Sequence, residues 1–251
     1  MNDQFDAYAE YYNQFYAVKD YKGESDYINR LIKAHIEDAS TILELGCGSG
    51  GHAKELIKYG YLIHGVDISS PMLEQAKLNS LADENRLKFS LGDIRKLALS
   101  QKFDVVLSLF HVLGYQNSDE DVEKTFLTAY DHLKPGGLFI YDFWYGPTVL
   151  SDGPSIKVLE IKKGQNEILR ISEPVMDFKR NICKIAYSIF VKEATGSYKR
   201  INELHSMRYF FQSEFPNFEN KKFLCLNELA WMTDLPLTLG VWYGVRVCRK
   251  L

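Results

Sequence analysis

The chain has 251 residues, enough for one large domain or a domain with a substantial added lobe. Hydrophobic residues make up 46% and charged residues 25%, an ordinary balance for a globular protein, and a net charge of −3 with a pI near 6.1 gives no basic field to attract nucleic acid. Cys47, Cys183, Cys225 and Cys248 form no C-x-x-C pair and no zinc ligand pattern, so no metal is expected and reduced cytoplasmic thiols are the default. Met1 to Glu10 is acidic and polar, unlike a signal peptide, and no apolar run reaches the ~18–20 residues of a membrane span.

From the N-terminus, residues 5–37 read as helical with a break near Lys22-Gly23. Phe5, Tyr8, Tyr12 and Phe15 recur at helical spacing, and a second helix runs from about Ser25, a plausible N-cap, through Ile36. The rhythm then changes. Ser40–Leu45 is a short strand ending in glycines, followed by a helix over His52–Tyr59, a strand over Tyr61–Asp67 and a helix opened by Ser70-Pro71. Leu87–Leu91 and the almost wholly apolar Phe103–Leu109 are strands, Glu120–His132 is a helix stopping at Lys134-Pro135-Gly136-Gly137, and Leu138–Phe143 is a strand. Such alternation predicts a doubly wound, mostly parallel α/β sheet. Ile156–Ile161, Glu167–Ile171, Ile182–Val191 and Asn202–Phe211 read as longer strands separated by polar turns such as Lys163-Gly164 and Thr195-Gly196, an antiparallel addition. A short helix is expected from Glu214, and Leu237–Cys248 as a final strand. The expected organisation is a helical lid (1–38), an α/β core (39–145), an antiparallel substrate-side addition (146–236) and a last strand returning to the core sheet (237–251).

The segment Gly46-Cys47-Gly48-Ser49-Gly50-Gly51 lies between a strand and a helix, where glycines let a ligand approach backbone N–H groups. Alone it also satisfies the G-x-G-x-x-G dinucleotide pattern. Asp67, about 20 residues on at the end of the second strand, suits a bidentate bond to ribose hydroxyls. Glu44, immediately before the loop, would repel a pyrophosphate but suits a cation such as the amino group and sulfonium of S-adenosylmethionine. Asp93 after Gly92 could accept from an adenine amino group, and Leu109-Phe110 could wall the ring. An NAD-dependent oxidoreductase and a non-catalytic cofactor-binding protein are the competing readings; Glu44 counts against the first.

Thr41-Ile42-Leu43-Glu44-Leu45-Gly46-Cys47-Gly48-Ser49-Gly50, Gly65-Val66-Asp67-Ile68-Ser69, Gly92-Asp93-Ile94 and Leu133-Lys134-Pro135-Gly136-Gly137 resemble, in order, the motifs of class I S-adenosylmethionine-dependent methyltransferases. The resemblance implies a Rossmann-like core in which Glu44, Gly46, Cys47 and Gly48 hold the methionine part, Asp67 the ribose, and Asp93 with Ile94 the adenine. Ile68, Met72, Gly92, Leu109, Phe110, Tyr12 and Tyr21 are further expected cofactor contacts. Outside the core, Tyr12–Tyr21, Phe110–Tyr115, Asp142–Pro147 with Ser151-Asp152-Gly153, and Glu203–Phe210 resemble bacterial methyltransferases that dimethylate the amino group of nucleotide-linked deoxysugars. Those enzymes carry a His where this chain has Tyr115, so Tyr115 or His111 would serve here, with Tyr16 in the lid. Trp144, Tyr145, His205 and Arg208 are the expected substrate contacts, while His52 reads as a plain helix residue. A neutral amine needs no strong base, whereas a hydroxyl or carbon acid does, for which His111 or His205 would serve. The acceptor is expected to be a small molecule; the Asn/Asp-Pro-Pro-aromatic motif of base-amine methylases is missing, no nucleic-acid or membrane partner is expected, and a homodimer is left open.

Overall fold

In a computed structural model the described residues are 6–80, 85–163, 166–193 and 195–251. Phe5 and Gly164 of the sequence reading lie outside them, as does the side chain of Tyr8. Two helices, α1 (Asp6–Phe15) and α2 (Tyr21–Lys33), precede the first strand. The start of α2 differs from expectation. Asp20 caps it by accepting the Gly23 N–H at 2.8 Å, so Lys22-Gly23 sits in its first turn, and Ser25 is buried within the helix.

The α/β part runs β1 (Thr41–Leu45), α3 (Gly51–Leu56), β2 (Leu62–Asp67), α4 (Ser70–Leu78), β3 (Leu87–Leu91), β4 (Phe103–Ser108), α5 (Asp119–His132) and β5 (Leu133–Trp144). Ser69 caps α4, with Pro71 in the first turn, and Ser118 caps α5. After α6 (Gly146–Asp152) come β6 (Lys157–Lys163), β7 (Asn166–Asp177), β8 (Ile182–Lys192) and β9 (Tyr198–Arg208), then α7 (Phe215–Glu219), β10 (Phe223–Ala230) and β11 (Tyr243–Lys250).

The main sheet has the order β10-β11-β5-β4-β1-β2-β3, parallel from β5 to β3, with β11 antiparallel to β5. Two-residue alternation divides its core. Leu43, Leu45, Val106, Phe139, Tyr141 and Phe143 pack with Phe126 of α5 and Phe215 on one face; Ile42, Val105, Leu107, Leu138 and Ile140 pack with Ile28 and Ile32 of α2 on the other. Glu44 shares the second face, which aims it at α2 and α3. The order of strands reverses between β1 and β4, so the crevice at their carboxyl ends is where such sheets bind ligands.

β6, β7, β8 and β9 form a separate antiparallel sheet. Helix α1 docks on it: Tyr11 and Phe15 cluster with Ile168, Ile189 and Ile201, while Asn13 reaches back to Gln75 of α4 at 3.3 Å. Two sequence expectations are corrected. β10 was placed with the antiparallel addition, yet it pairs with β11 and closes the main sheet. Cys225 and Cys248, far apart in sequence, become cross-strand neighbours and stand with Glu219 within 4.8 Å of one another. Arg246, donating to Glu219 at 2.9 and 3.1 Å, already supplies the countercharge there. Among the described residues no helix is long and apolar enough to cross a membrane.

Candidate active site

A cavity of about 720 Å³ opens at the carboxyl ends of β1, β2 and β4 and extends under α1 to the inner face of the antiparallel sheet. Its cofactor-side wall contains Gly46, Cys47, Gly48, Asp67, Ile68, Met72, Asp93, Ile94, Leu109 and Phe110, all expected from sequence. The loop turns through left-handed backbone at Gly46 (φ +75°) and Gly48 (φ +53°), and a Cβ on Gly46 would stand 2.5 Å from Val112. Asp67 organises this loop: Oδ2 accepts the Gly48 N–H at 2.8 Å and Oδ1 the Ser69 N–H at 2.9 Å. Burial raises its carboxyl above the ordinary value, against the pull of those backbone donors. Cys47 is buried, and burial pushes its thiol well up, so it is an inert wall.

Glu44 stands just behind the wall. It is 2% exposed, its Oε1 lies 3.6 Å from His52 Nδ1, and its Oε2 has no hydrogen-bond partner among the described residues. His52 is itself a correction: it starts α3 as expected, but its side chain lines the cavity and bridges Glu44 to Glu24, whose Oε2 is 2.7 Å from His52 Nε2. Burial alone would lower the imidazole, but the Glu24 and Glu44 carboxylates prevail and raise it. Glu24 also holds Lys19, which lies 3.9 Å over the Phe110 ring. The start of α2 is thereby tied to the end of β1.

Asp93 is on the wall but engaged: both its oxygens accept from Arg95, at 2.9 and 2.7 Å, and that guanidinium lowers its carboxyl. Gly92 is not on the wall. A Cβ there would meet Val66 at 2.8 Å, so its place is close packing of β3 on β2.

Three tyrosines from the N-terminal segment, Tyr12, Tyr16 and Tyr21, line the cavity. Tyr12 and Tyr16 lie 4.7 Å apart, Tyr16 sits edge-on to Phe110 at 5.1 Å, and Tyr21 sits edge-on to His52 at 5.0 Å. Burial raises the phenols of Tyr12 and Tyr21, the latter to about 12, so both are proton donors at neutral pH.

On the far side, Phe110 and His111 both adopt φ of +64°, a strained pair for residues with a Cβ. Asp142 holds them, accepting the His111 N–H at 2.9 Å on Oδ1. The His111 Nδ1 also lies 2.8 Å from Asp142 Oδ2, a close electrostatic approach without hydrogen-bond direction. The imidazole stacks on Tyr243 at 4.5 Å and makes a T-shaped contact with Trp144, whose indole N–H has no acceptor among the described residues. Tyr115, in the turn Val112–Tyr115, meets His205 Nδ1 at 3.0 Å.

Two expected substrate contacts do not reach the cavity. Tyr145 is buried in the core, its hydroxyl on Gln212 at 3.3 Å. Arg208 is buried and paired with Asp119 and Glu214, each at 2.7 Å. Strand parity explains the second, since His205 and Met207 line the cavity and Arg208 falls on the opposite face of β9. The same parity, applied across the register, would have found walls the sequence reading missed: Ser172 opposite Tyr187, and Pro174 opposite Ile185, which is opposite His205. Arg170 joins them, its guanidinium 4.8, 5.8 and 5.4 Å from the Phe15, Tyr16 and Tyr187 rings.

A parallel sheet whose first strand ends in an acidic residue and a glycine turn before α3, with a second carboxylate, Asp67, at the end of β2, is a Rossmann-like arrangement. Residues 42–137 match a family described as a methyltransferase domain. Over 83% of this chain and 86% of its own, dTDP-3-amino-3,4,6-trideoxy-alpha-D-glucopyranose N,N-dimethyltransferase of Streptomyces venezuelae is 26% identical. An S-adenosylmethionine-dependent methyltransferase from Clostridium acetobutylicum superposes with a TM-score of 0.83 at 20% identity, covering 98% of both chains. The sugar N-methyltransferase KedS8 from Streptoalloteichus sp gives 0.80 at 20% identity, covering 94% of this chain and 92% of its own. The chain is an S-adenosylmethionine-dependent methyltransferase whose residues 42–137 carry the methyltransferase domain, and S-adenosylmethionine is its cofactor. The residues present fit that group: Glu44 Oε2, without a hydrogen-bond partner among the described residues, suits its cationic end, and Gly46 and Gly48 bring no side chain to the turn where a ligand must approach.

Proposed function

We propose that this enzyme transfers methyl groups to the amino group of a nucleotide-linked deoxysugar. The observation that carries the reading is the continuity of the cavity from the cofactor wall to the aromatic and polar inner face of the antiparallel sheet, walled by Tyr16, His111, Tyr115, Trp144, Arg170, Tyr187 and His205. Its volume lies in the upper part of the ~300–1,000 Å³ range of small-molecule sites. The similarity to an aminosugar N,N-dimethyltransferase over most of both chains supports the same acceptor class.

Bound S-adenosylmethionine supplies an electrophilic methyl on its sulfonium. The chain's own residues do the rest by alignment and exclusion of water. Asp67 keeps two lone-pair sites for ribose hydroxyls after its two backbone bonds, Glu44 balances the cationic end, and Ile68, Met72, Ile94, Leu109 and Phe110 provide apolar walls. Tyr12, Tyr16 and Tyr21 close the cavity from α1 and α2, offering phenolic donors at its polar rim. Tyr115, Trp144 and Tyr16 would orient the acceptor amine. In this reading residues 6–33 are a lid, β1–β5 with β10 and β11 the cofactor domain, and β6–β9 the acceptor-side wall. Four free cysteines among the described residues support a reducing, cytoplasmic setting.

The test is incubation with S-adenosylmethionine and a dTDP-linked aminodeoxysugar, followed by mass spectrometry. One or two added methyl groups on nitrogen are expected. A second reading, methylation of a hydroxyl, is favoured by one observation: His111 stands against the buried Asp142, a base for an acidic oxygen. Methylation of the matched hydroxysugar and none of the aminosugar would select it.

A further inference from the structure

A line of three side chains leads from the cavity into the antiparallel sheet. The Tyr115 hydroxyl is 3.0 Å from His205 Nδ1, and His205 Nε2 is 2.9 Å from Glu203 Oε2. The His205 and Glu203 side chains are 3% and 7% exposed, while Tyr115 and His205 both line the cavity. With Glu203 ionised and the imidazole neutral, Nε2 carries the proton, Nδ1 is the acceptor, and Tyr115 donates to it.

We propose that Tyr115, His205 and Glu203 form a proton relay that strips the acceptor amine of one proton before each methyl transfer. It rests on the amine reading above. Aliphatic amines are mostly ammonium at neutral pH, with reference values of about 8 to 10.4, and an ammonium has no lone pair for the methyl. Every transfer regenerates the cation, so adding a second methyl requires another deprotonation.

The step balances. The ammonium N–H bond breaks and leaves its electron pair on nitrogen, the proton bonds to the Tyr115 oxygen, and the proton already on Tyr115 moves to His205 Nδ1. Tyr115 ends neutral, and the imidazolium forms against Glu203. Burial, first, and then Tyr187, Tyr16, Glu203 and Asp67 push the Tyr115 phenol well above its ordinary value, so it cannot serve alone as a phenolate base. It can pass a proton only by handing its own onward. Around His205 stand the Glu203 carboxylate, the Tyr115 hydroxyl and the Tyr187 ring, edge-on at 4.9 Å, with the Arg170 guanidinium over that ring. Exchange of spent cofactor between transfers opens the cavity to water and resets the relay.

Tyr115 is the catalytic group of this chain; His205 and Glu203 act through it. The experiment measures kcat/KM and the mono- to dimethyl product ratio between pH 6.5 and 9.5, with a dTDP-linked aminosugar. Wild type, His205→Gln, Glu203→Gln and Tyr115→Phe are compared. His205→Gln is expected to lose about 100-fold at pH 7, to recover toward about threefold of wild type at pH 9.5 as the amine sheds its proton to solvent, and to accumulate monomethyl product at neutral pH. Tyr115→Phe should show the same alkaline rescue, and calorimetric S-adenosylhomocysteine affinity should stay unchanged, which separates the relay from misfolding. An equal fold-loss at every pH, or no loss at pH 7, overturns the proposal. If wild type methylates no amine, the functional reading fails, and the relay is read by imidazole ¹⁵N spectra of His205: an Nε2-protonated ring whose Nδ1 signal shifts in Tyr115→Phe supports the line of bonds, and an Nδ1-protonated ring overturns it.

Discussion

Asp67→Asn is the sharpest probe of the cofactor wall. A carboxylate offers about four lone-pair sites; the Gly48 and Ser69 N–H groups occupy two, leaving one on each oxygen for the ribose. Asparagine keeps one oxygen and turns the other position into a donor. The ligand then loses one charge-assisted hydrogen bond and the charge assistance of the other, about 2–4 kcal/mol in all, or roughly 30- to 1,000-fold in Kd. The new amide also faces one of the two backbone donors, leaving a buried N–H unpaired at about 1–3 kcal/mol, partly offset because burial already disfavours the ionised carboxylate. Titration calorimetry with S-adenosylhomocysteine and with its 2′,3′-dideoxy analogue closes a double-mutant cycle. The dideoxy ligand should bind wild type about as weakly as the natural ligand binds Asp67→Asn, and should be nearly indifferent to the mutation. Equal losses for the two ligands would show that Asp67 acts only by shaping the loop and would refute the direct ribose contact.

Glu44→Gln should weaken S-adenosylmethionine binding about tenfold while leaving 5′-methylthioadenosine, which lacks the amino-acid end, unaffected in the same calorimeter. His52 titrates higher in the fold than in the unfolded chain, so its stabilisation is complete below its ordinary value of 6.5 and fades as pH rises through the raised folded value. Thermal scans should therefore show wild type losing stability relative to His52→Gln as pH rises above 6.5; a constant difference would contradict the Glu24–His52–Glu44 bridge. Arg208→Ala should cost about 2 kcal/mol in urea unfolding, because it leaves Glu214 half-buried and unpaired, while the KM for the acceptor stays unchanged. A rise in KM would return Arg208 to the substrate site.

Much of the cofactor half was legible in the sequence because local rules govern it. A strand end, a glycine turn and a capped helix are each set within a few residues, and Gly46, Gly48 and Asp67 take their positions from that local geometry. His52 was misread because its partners, Glu24 and Glu44, come from separate elements that meet only on the packed sheet face. The Tyr145 error is different in kind. An aromatic residue after a strand serves a core or a pocket equally well, and only packing beside Phe210 and Phe215 decides between them.

By itself the sequence determined the parallel sheet, the glycine turn after β1 and the carboxylates at the strand ends, since periodicity and backbone freedom are short-range properties. The tertiary structure decided which face each strand of the second sheet turns inward, that β10 joins the first sheet, and that Glu203, His205 and Tyr115 fall into line. Those outcomes depend on register between segments far apart in the chain, 90 residues in the case of Tyr115 and His205, and register is fixed by the partner strand, which no local pattern names.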